Sequence, residues 1–388
     1  MLTSCPGPFA SIALVGAALL LGCSAPPAGG PDQGSSTGTA ADSTAGASSL
    51  GGADAGPTTA SASGTGPVAD STTDATDAAD GTETGEPQPD PRAVVLRTHA
   101  PRVWFTADEA YWPSTVDWAF PEQERFADGD GQYWIRSVDP LDSPSDTLPF
   151  FAGDLATAAI YGYWADKGGG VVDLVYFVYY PYNRGKSVVD TIWGNHVGDW
   201  EHITVRLLEQ PDGSLAPSQV YLSAHGFGGA YDWGSGEVAL HDGTHPVVYS
   251  AWGSHGFWAQ PGEHVYMTIG RTDPIFDVCI TLVCAELADR TEAGVAWDTW
   301  EHLVGLDFFA QQGLEGVAWP AWMSDDFTDP GAGDPAVPGM GPIYRWGNPE
   351  DCSVLGIPID ITDLIGVCRL EDGPTGPISK DTWGAELR

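Results

Sequence analysis

Residues 171–202 read VVDLVYFVYYPYNRGKSVVDTIWGNHVGDWEH, and the two halves of that stretch decide the reading. Val171 to Tyr180 is β-branched and aromatic almost throughout, and Pro181 and Asn183 end it, which predicts a central strand. The polar loop behind it delivers His196, Asp199, Glu201 and His202 within seven residues. Alternation from Glu201 to Leu208 predicts a second, half-buried strand, closed by a turn at Pro211-Asp212-Gly213. With the chain extended from about Trp200, Asp199 and Glu201 share one face, and Trp200 and His202 the other.

Working outward, Gln219–Ala224, Pro246–Trp252 and Val265–Ile269 read as further strands. Asp154–Trp164 reads as a short helix or another strand, and Glu286–Leu303 as one or two helices around Gly294. The spacing of strands and turns predicts an all-β dominated protein, an antiparallel β-sandwich with long loops and a few short helices. The Pro- and Gly-rich chain after Trp319 is expected to be held by a disulfide rather than by regular structure.

The ends of the chain differ from this middle. Phe9 to Leu21 is apolar, too short to span a bilayer, and suits the core of a signal peptide over residues 1–22. Leu20-Leu21-Gly22-Cys23 has the form of a bacterial lipobox, with Cys23 as the lipidated residue, although the leader carries no Lys or Arg. Residues 23–90 are Ser, Thr, Ala, Gly, Pro and acid, too poor in large apolar groups to offset ordering entropy. They read as an acidic tether that holds a domain at 91–388 away from a membrane. An exported chain, lipid-anchored to the outer membrane or cell surface, is the expectation.

The sequence has 53 acidic residues against 15 Lys and Arg, a formal charge of −38. Ten of the acids lie in the tether, so the globular part is acidic too. Such a surface repels phosphate backbones and excludes nucleic acid as a partner. Four cysteines remain in the domain: Cys279, Cys284, Cys352 and Cys368. In an exported chain an even count reads as disulfides, the sequence-local pairing being the simplest of three connectivities. Neither local pair has zinc-ligand spacing.

The candidate site is built on Gly194-Asn195-His196-Val197-Gly198-Asp199-Trp200-Glu201. Two carboxylates on one face with a histidine beside them suit a hard divalent cation, Ca²⁺ or Mg²⁺ rather than Zn²⁺, or a general acid and base. His196, Asp199 and Glu201 are the expected metal ligands. Ser-Ala-His225-Gly and Gly-Ser-His255-Gly each leave a strand for a Gly-rich loop, and with Trp258 they are expected to line the pocket. His245 and His264 repeat the pattern beside Pro or near Gly. No G-x-S-x-G elbow or phosphate loop is present, so neither a serine hydrolase nor a nucleotide-phosphate site is supported.

The elements VYFVYYPYNRGK, GNHVGDWEHITVRL, YLSAHG, HPVVYSAWGSHGFWAQPGEH, YRWGN and GPTGPISKDTW resemble the vacuolar protein sorting 62 family of fungi, plants and bacteria, across about 162–383. That resemblance implies a shared fold and no established activity. A more distant likeness is to necrosis- and ethylene-inducing-like proteins, whose GHRHDWE heptapeptide forms a divalent-metal site on a β-sandwich beside a later AHG element. His196, Asp199 and Glu201 fall on its ligand positions and His225 on the later His, whereas Asn195 and Gly198 depart from it. Asp190 is the nearest counterpart of the family's upstream acidic ligand. The likeness implies a metal site and, through it, a glycan or lipid headgroup as ligand, and it does not carry toxicity over. Three functions stand side by side: a metal-bridged ligand binder, a metal-dependent hydrolase with His225 or Glu201 as base, and a structural or trafficking module.

Overall fold

A computed structural model describes residues 88–127, 132–141, 148–188, 191–269, 285–323, 344–352 and 368–388. The signal peptide, Cys23, nearly all of the tether, Asp190 and the Cys279–Cys284 pair lie outside them.

A seven-stranded sheet forms the centre. Its order is Gly229–Asp232, Leu215–Leu222, His196–Glu209, Val171–Asn183, Ile160–Gly168, Leu303–Asp307 and Gln312–Gly313. Both of its faces are covered, which is why Val171–Asn183 is apolar on both sides rather than alternating with polar residues. Val172, Leu174, Tyr176, Val178 and Tyr180 pack with Val103, Phe105, Val248, Phe257 and Trp297, residues in or next to a five-stranded sheet. Val175, Phe177 and Tyr179 turn the other way, toward Ile135, Phe151, Tyr344 and Trp346. Each such fully buried side chain contributes roughly 1.5–3 kcal/mol.

The protein is dominated by β-structure as expected, with few and short helices, but its sheets are mixed. Leu303–Asp307 runs parallel to Ile160–Gly168, and Arg102–Phe105 parallel to His245–Ser250. Each of these ladders, like the parallel pairing of Tyr344–Arg345 with Tyr133–Trp134, joins segments more than 100 residues apart in sequence, which a local reading of turns cannot see. Glu286–Leu303, read as helical, instead forms the strands Ala285–Thr291 and Val295–Asp298 and a short 3-10 turn. Cross-strand pairing with Gly262–Ile269 outweighs the helical preference of Ala-Glu-Leu-Ala there. Asp154–Trp164 resolves into a turn at Asp154–Thr157 and the start of the strand Ile160–Gly168. A helix at Pro91–His99 went unread, although Asp90 caps it and Pro91 stands in its first turn. Cys352 and Cys368 form a disulfide.

One irregularity positions everything that follows. Tyr180 pairs with Asp199 and Tyr182 with Val197, so Pro181 and Gly198 stand opposite one another without a ladder pair. On either side of them the faces change. Tyr180 belongs to the first core and Tyr182 to the second, and Val197 and Trp200, three residues apart, share the second. Gly198, at φ +68°, absorbs the turn of the backbone.

Candidate functional site

The strand Leu215–Leu222 stops opposite Ile203, so the edge of the neighbouring strand from His196 to His202 runs on without it. Ser223 covers the last of that edge: its N–H donates to the His202 carbonyl at 3.0 Å, and its Oγ accepts the His202 N–H at 2.7 Å. The chain then turns away through His225, itself in the left-handed region at φ 52°. The uncovered edge becomes the floor of a cavity of about 480 Å³.

His196, Asp199, Glu201 and His225 all line this cavity. Strict alternation from Asp199 would turn His196 to the opposite face; the interruption at Gly198 brings it to the side of the two carboxylates. Asp199 and Glu201 share a face, and Trp200 packs into the core on the other, as the sequence predicts.

The polar groups are held by two acid–histidine contacts, one fully inside the protein and one at the mouth of the cleft. His255 Nδ1 lies 3.1 Å from Asp199 Oδ2, and its Nε2 donates to the Tyr111 carbonyl at 3.0 Å. The His255 ring is fully buried and stacks flat on Tyr180, with centroids 3.7 Å apart. Burial opposes ionisation of Asp199, but the His255 hydrogen bond and the positive potential of His196 and His255 outweigh it and hold the carboxyl below its usual value. His255 therefore stands behind Asp199 and acts through it.

The second contact joins His225 Nε2 to Asp289 Oδ2 at 3.0 Å. Asp289 is buried and also accepts from Ser254 Oγ at 2.6 Å and Trp258 Nε1 at 2.9 Å, with Lys186 Nζ 2.9 Å away. Burial alone would raise its pKa, but His225, Lys186 and Ser254 hold it well below the usual carboxylate range. Burial disfavours the charged form of His225 as well, and the hydrogen bond and charge of Asp289 outweigh that and raise its pKa.

Glu201 is the exception. Among the described residues it has no cationic hydrogen-bond partner: Ser223 Oγ donates to its carboxylate, and burial followed by the nearby charge of Asp199 pushes its pKa up to about 7. His196 is lowered, chiefly by burial. Its Nδ1 lies 2.7 Å from the Gly198 carbonyl, which can only accept, so Nδ1 carries the proton and Nε2 keeps the lone pair. A backbone carbonyl fixing the tautomer of a ligating histidine is a common arrangement in metal sites.

This donor set fits a divalent cation in its chemistry: two buried carboxylates, one of them short of positive charge, and a neutral imidazole. The side chains are not closed around a point. Among the described residues, the one group of three His, Cys, Asp or Glu with ligand atoms all within 4.8 Å of one another is Glu350, Cys352 and Cys368, and its sulfurs are joined to each other. Closing His196, Asp199 and Glu201 on an ion would require side-chain rotation away from His255 and Ser223.

Other expected residues sit apart. Trp258 lines a second hollow of about 340 Å³ with Tyr231 and Gln260, stacks on His264 with centroids 4.1 Å apart, and reaches the cleft through Asp289. His245 donates from Nδ1 to the Ala100 carbonyl and packs on Trp300, in the other sheet. Sequence reasoning missed Asp289, Lys186, Ser223 and Lys380. Asp289 was hidden in a segment read as helix; Ser223 and Lys380 come to the cleft, and Lys186 to Asp289, only through the fold.

Residues 123–271 match the family model described as Vacuolar protein sorting-associated protein 62. The matched segment contains the floor of the cleft, His225 and His255, and leaves out Asp289 and Lys380. Vacuolar protein sorting-associated protein 62 of Saccharomyces cerevisiae is 31% identical over 182 residues, 42% of this chain and 35% of the yeast protein. A second vacuolar protein sorting-associated protein of that yeast, TDA6, is 28% identical over 199 residues, 47% of this chain and 39% of its own. The alignments thus span less than two fifths of either relative. Among solved structures, non-toxic HaNLP3 aligns with 57% of this chain and 77% of its own at 14% identity and a TM-score of 0.31. NLPPya in complex with mannosamine aligns with 44% of this chain and 69% of its own, at 16% identity and a TM-score of 0.29. At such scores neither structure carries an argument about this protein.

Proposed function

We propose that this domain binds a divalent cation, Ca²⁺ or Mg²⁺, through His196, Asp199 and Glu201, and through that cation a polar ligand such as a glycan or lipid headgroup. The observation that carries the reading is Glu201: a buried carboxylate on the wall of an open cavity, beside a second carboxylate and without a cationic hydrogen-bond partner among the described residues. Burying such a group is unfavourable, and a bound cation removes the penalty. His196, with its proton fixed on Nδ1, offers Nε2 as a neutral ligand. The ion would supply charge to orient a ligand oxygen, and the protein's own groups would shape the cavity around it. We further propose that Cys23 carries a lipid anchor and that the acidic tether holds this domain outside the cell, at the envelope.

A second reading shares the cleft. His225, oriented by Asp289, is arranged as a base or acid facing the cavity, which suits a metal-dependent hydrolase.

Calorimetric titration of Ca²⁺, Mg²⁺ and Zn²⁺ into the chelator-stripped full chain tests the binding reading. Saturable binding that is lost in Glu201→Gln supports it; equal binding in both proteins, or none in either, overturns it. Turnover of a phosphodiester or glycoside that disappears in His225→Gln while the cation still binds would favour the hydrolase.

A further inference from the structure

The chain contains three lysines, Lys167, Lys186 and Lys380. Two are used up inside the fold. Lys167 Nζ donates to the Thr382 and Gly384 carbonyls at 2.5 and 2.7 Å, with Asp173 at 3.7 Å. Lys186 Nζ pairs with Asp289 and donates to Ser254 Oγ at 2.7 Å. Lys380 differs: it lines the cleft, and its ammonium has neither a hydrogen bond nor an ion pair among the described residues. Its charge is nevertheless felt by Asp199, Glu201 and His202.

Lys380 is not on a loose tail. Its N–H donates to the Pro377 carbonyl at 3.1 Å, and Trp383 Nε1 donates to the same carbonyl at 2.8 Å. Trp383 stacks flat on Phe308 with centroids 3.5 Å apart. The backbone that carries Lys380 is thus fastened to the central sheet. In so acidic a chain, a lysine fixed on the wall of the same cavity as two carboxylates, closing no ion pair with either, is placed to meet a ligand. His202, 6% exposed, is also part of the cavity wall, on the opposite face of the strand from the two carboxylates, where its ring packs against Phe177 and Tyr221.

We propose that Lys380 is the anion anchor of the cleft, and that the ligand presents a phosphate group held between the Lys380 ammonium and a cation on His196, Asp199 and Glu201. A tetrahedral oxyanion has enough oxygens to face the cation and the ammonium at once. The cavity volume falls within the range of small-ligand sites. Without the cation, the two carboxylates repel a phosphate, so anion binding depends on metal. The inference rests on the cation reading above and adds the class of ligand.

The test titrates inorganic phosphate into the full chain, with and without saturating Ca²⁺, for wild type, Lys380→Met and Lys380→Arg. Ca²⁺ is titrated separately into each protein. Lys380 has no partner to lose, so Lys380→Met should fold. The expected result is phosphate binding in the presence of Ca²⁺, weakened about tenfold or more by Lys380→Met and largely restored by Lys380→Arg, with Ca²⁺ affinity kept or raised. Equal phosphate affinity in wild type and Lys380→Met overturns the anchor. Ca²⁺ binding without phosphate binding overturns this inference and leaves the cation reading intact; binding of neither overturns both. Co-sedimentation with phosphatidic acid vesicles, against glycerol 3-phosphate in solution, then distinguishes a lipid source of the phosphate from a soluble one. Loss of either interaction in Lys380→Met supports the anchor.

Discussion

His255 ties Asp199 to the Tyr111 carbonyl inside the protein: its Nε2 donates to that carbonyl at 3.0 Å, and its Nδ1 lies 3.1 Å from the Asp199 carboxylate. Asp199→Ala would leave a buried ring nitrogen without its partner against Tyr180, at a cost of about 1–3 kcal/mol. Asp199→Asn keeps an acceptor there and should cost less. Urea denaturation measures both, and equal losses would contradict this pairing.

Asp289 predicts an acid-sensitive contribution to stability. Its folded pKa lies below the ordinary 3.8, so the stability it adds is present above about pH 4 and is lost as the pH falls further. Asp289→Asn should be several kcal/mol less stable than wild type at pH 7, because Lys186 and His225 lose their buried partner. The gap should narrow at pH 3. A gap independent of pH would contradict this role.

Glu201 predicts the opposite slope in metal-free protein. Its folded pKa of about 7 exceeds the ordinary 4.5, so the native state binds the extra proton between those values. Stability should fall as the pH rises through that window, by up to about 3 kcal/mol. Glu201→Gln should remove this fall. Added Ca²⁺ should restore wild type at pH 8 and leave Glu201→Gln unchanged, which thermal denaturation at several pH values would read.

Gly198 should be far less replaceable than Gly194, although both have positive φ. A Cβ at Gly198 would lie 2.4 Å from the Trp346 carbonyl oxygen, and one at Gly194 would meet nothing within 4 Å. Gly194→Ala should cost about 1–2 kcal/mol from backbone strain alone. Gly198→Ala should cost more and should weaken cation binding too, because it disturbs the turn that brings His196 to the carboxylates. Equal effects at the two positions would count against that turn.

The sequence made parts of this legible and not others. Val171–Tyr180 announced a central strand because both of its faces are buried and no polar residue but Asp173 interrupts it, and that acid is paired with Arg206. The facing of Asp199, Glu201 and Trp200 followed from simple alternation. His196 did not, since its placement depends on the paired interruption at Pro181 and Gly198, a property of two strands together. Asp289 and Lys380 were out of reach for a related reason. Nothing local marks a carboxylate that will gather four donors, or a lysine that a fastened tail carries across a cleft. The parallel ladders were invisible on the same grounds.

His196, Asp199 and Glu201 are proposed above to close on a divalent cation. The most direct measurement is an anomalous difference map from crystals of the full chain soaked in Mn²⁺, a stand-in for Ca²⁺ or Mg²⁺, with Glu201→Gln crystals treated alike. The account predicts a peak in the cleft at roughly 2.0–2.6 Å from at least two of the three side chains, absent in Glu201→Gln. A map with no peak in the cleft at saturating Mn²⁺, or the same peak in both proteins, would contradict it.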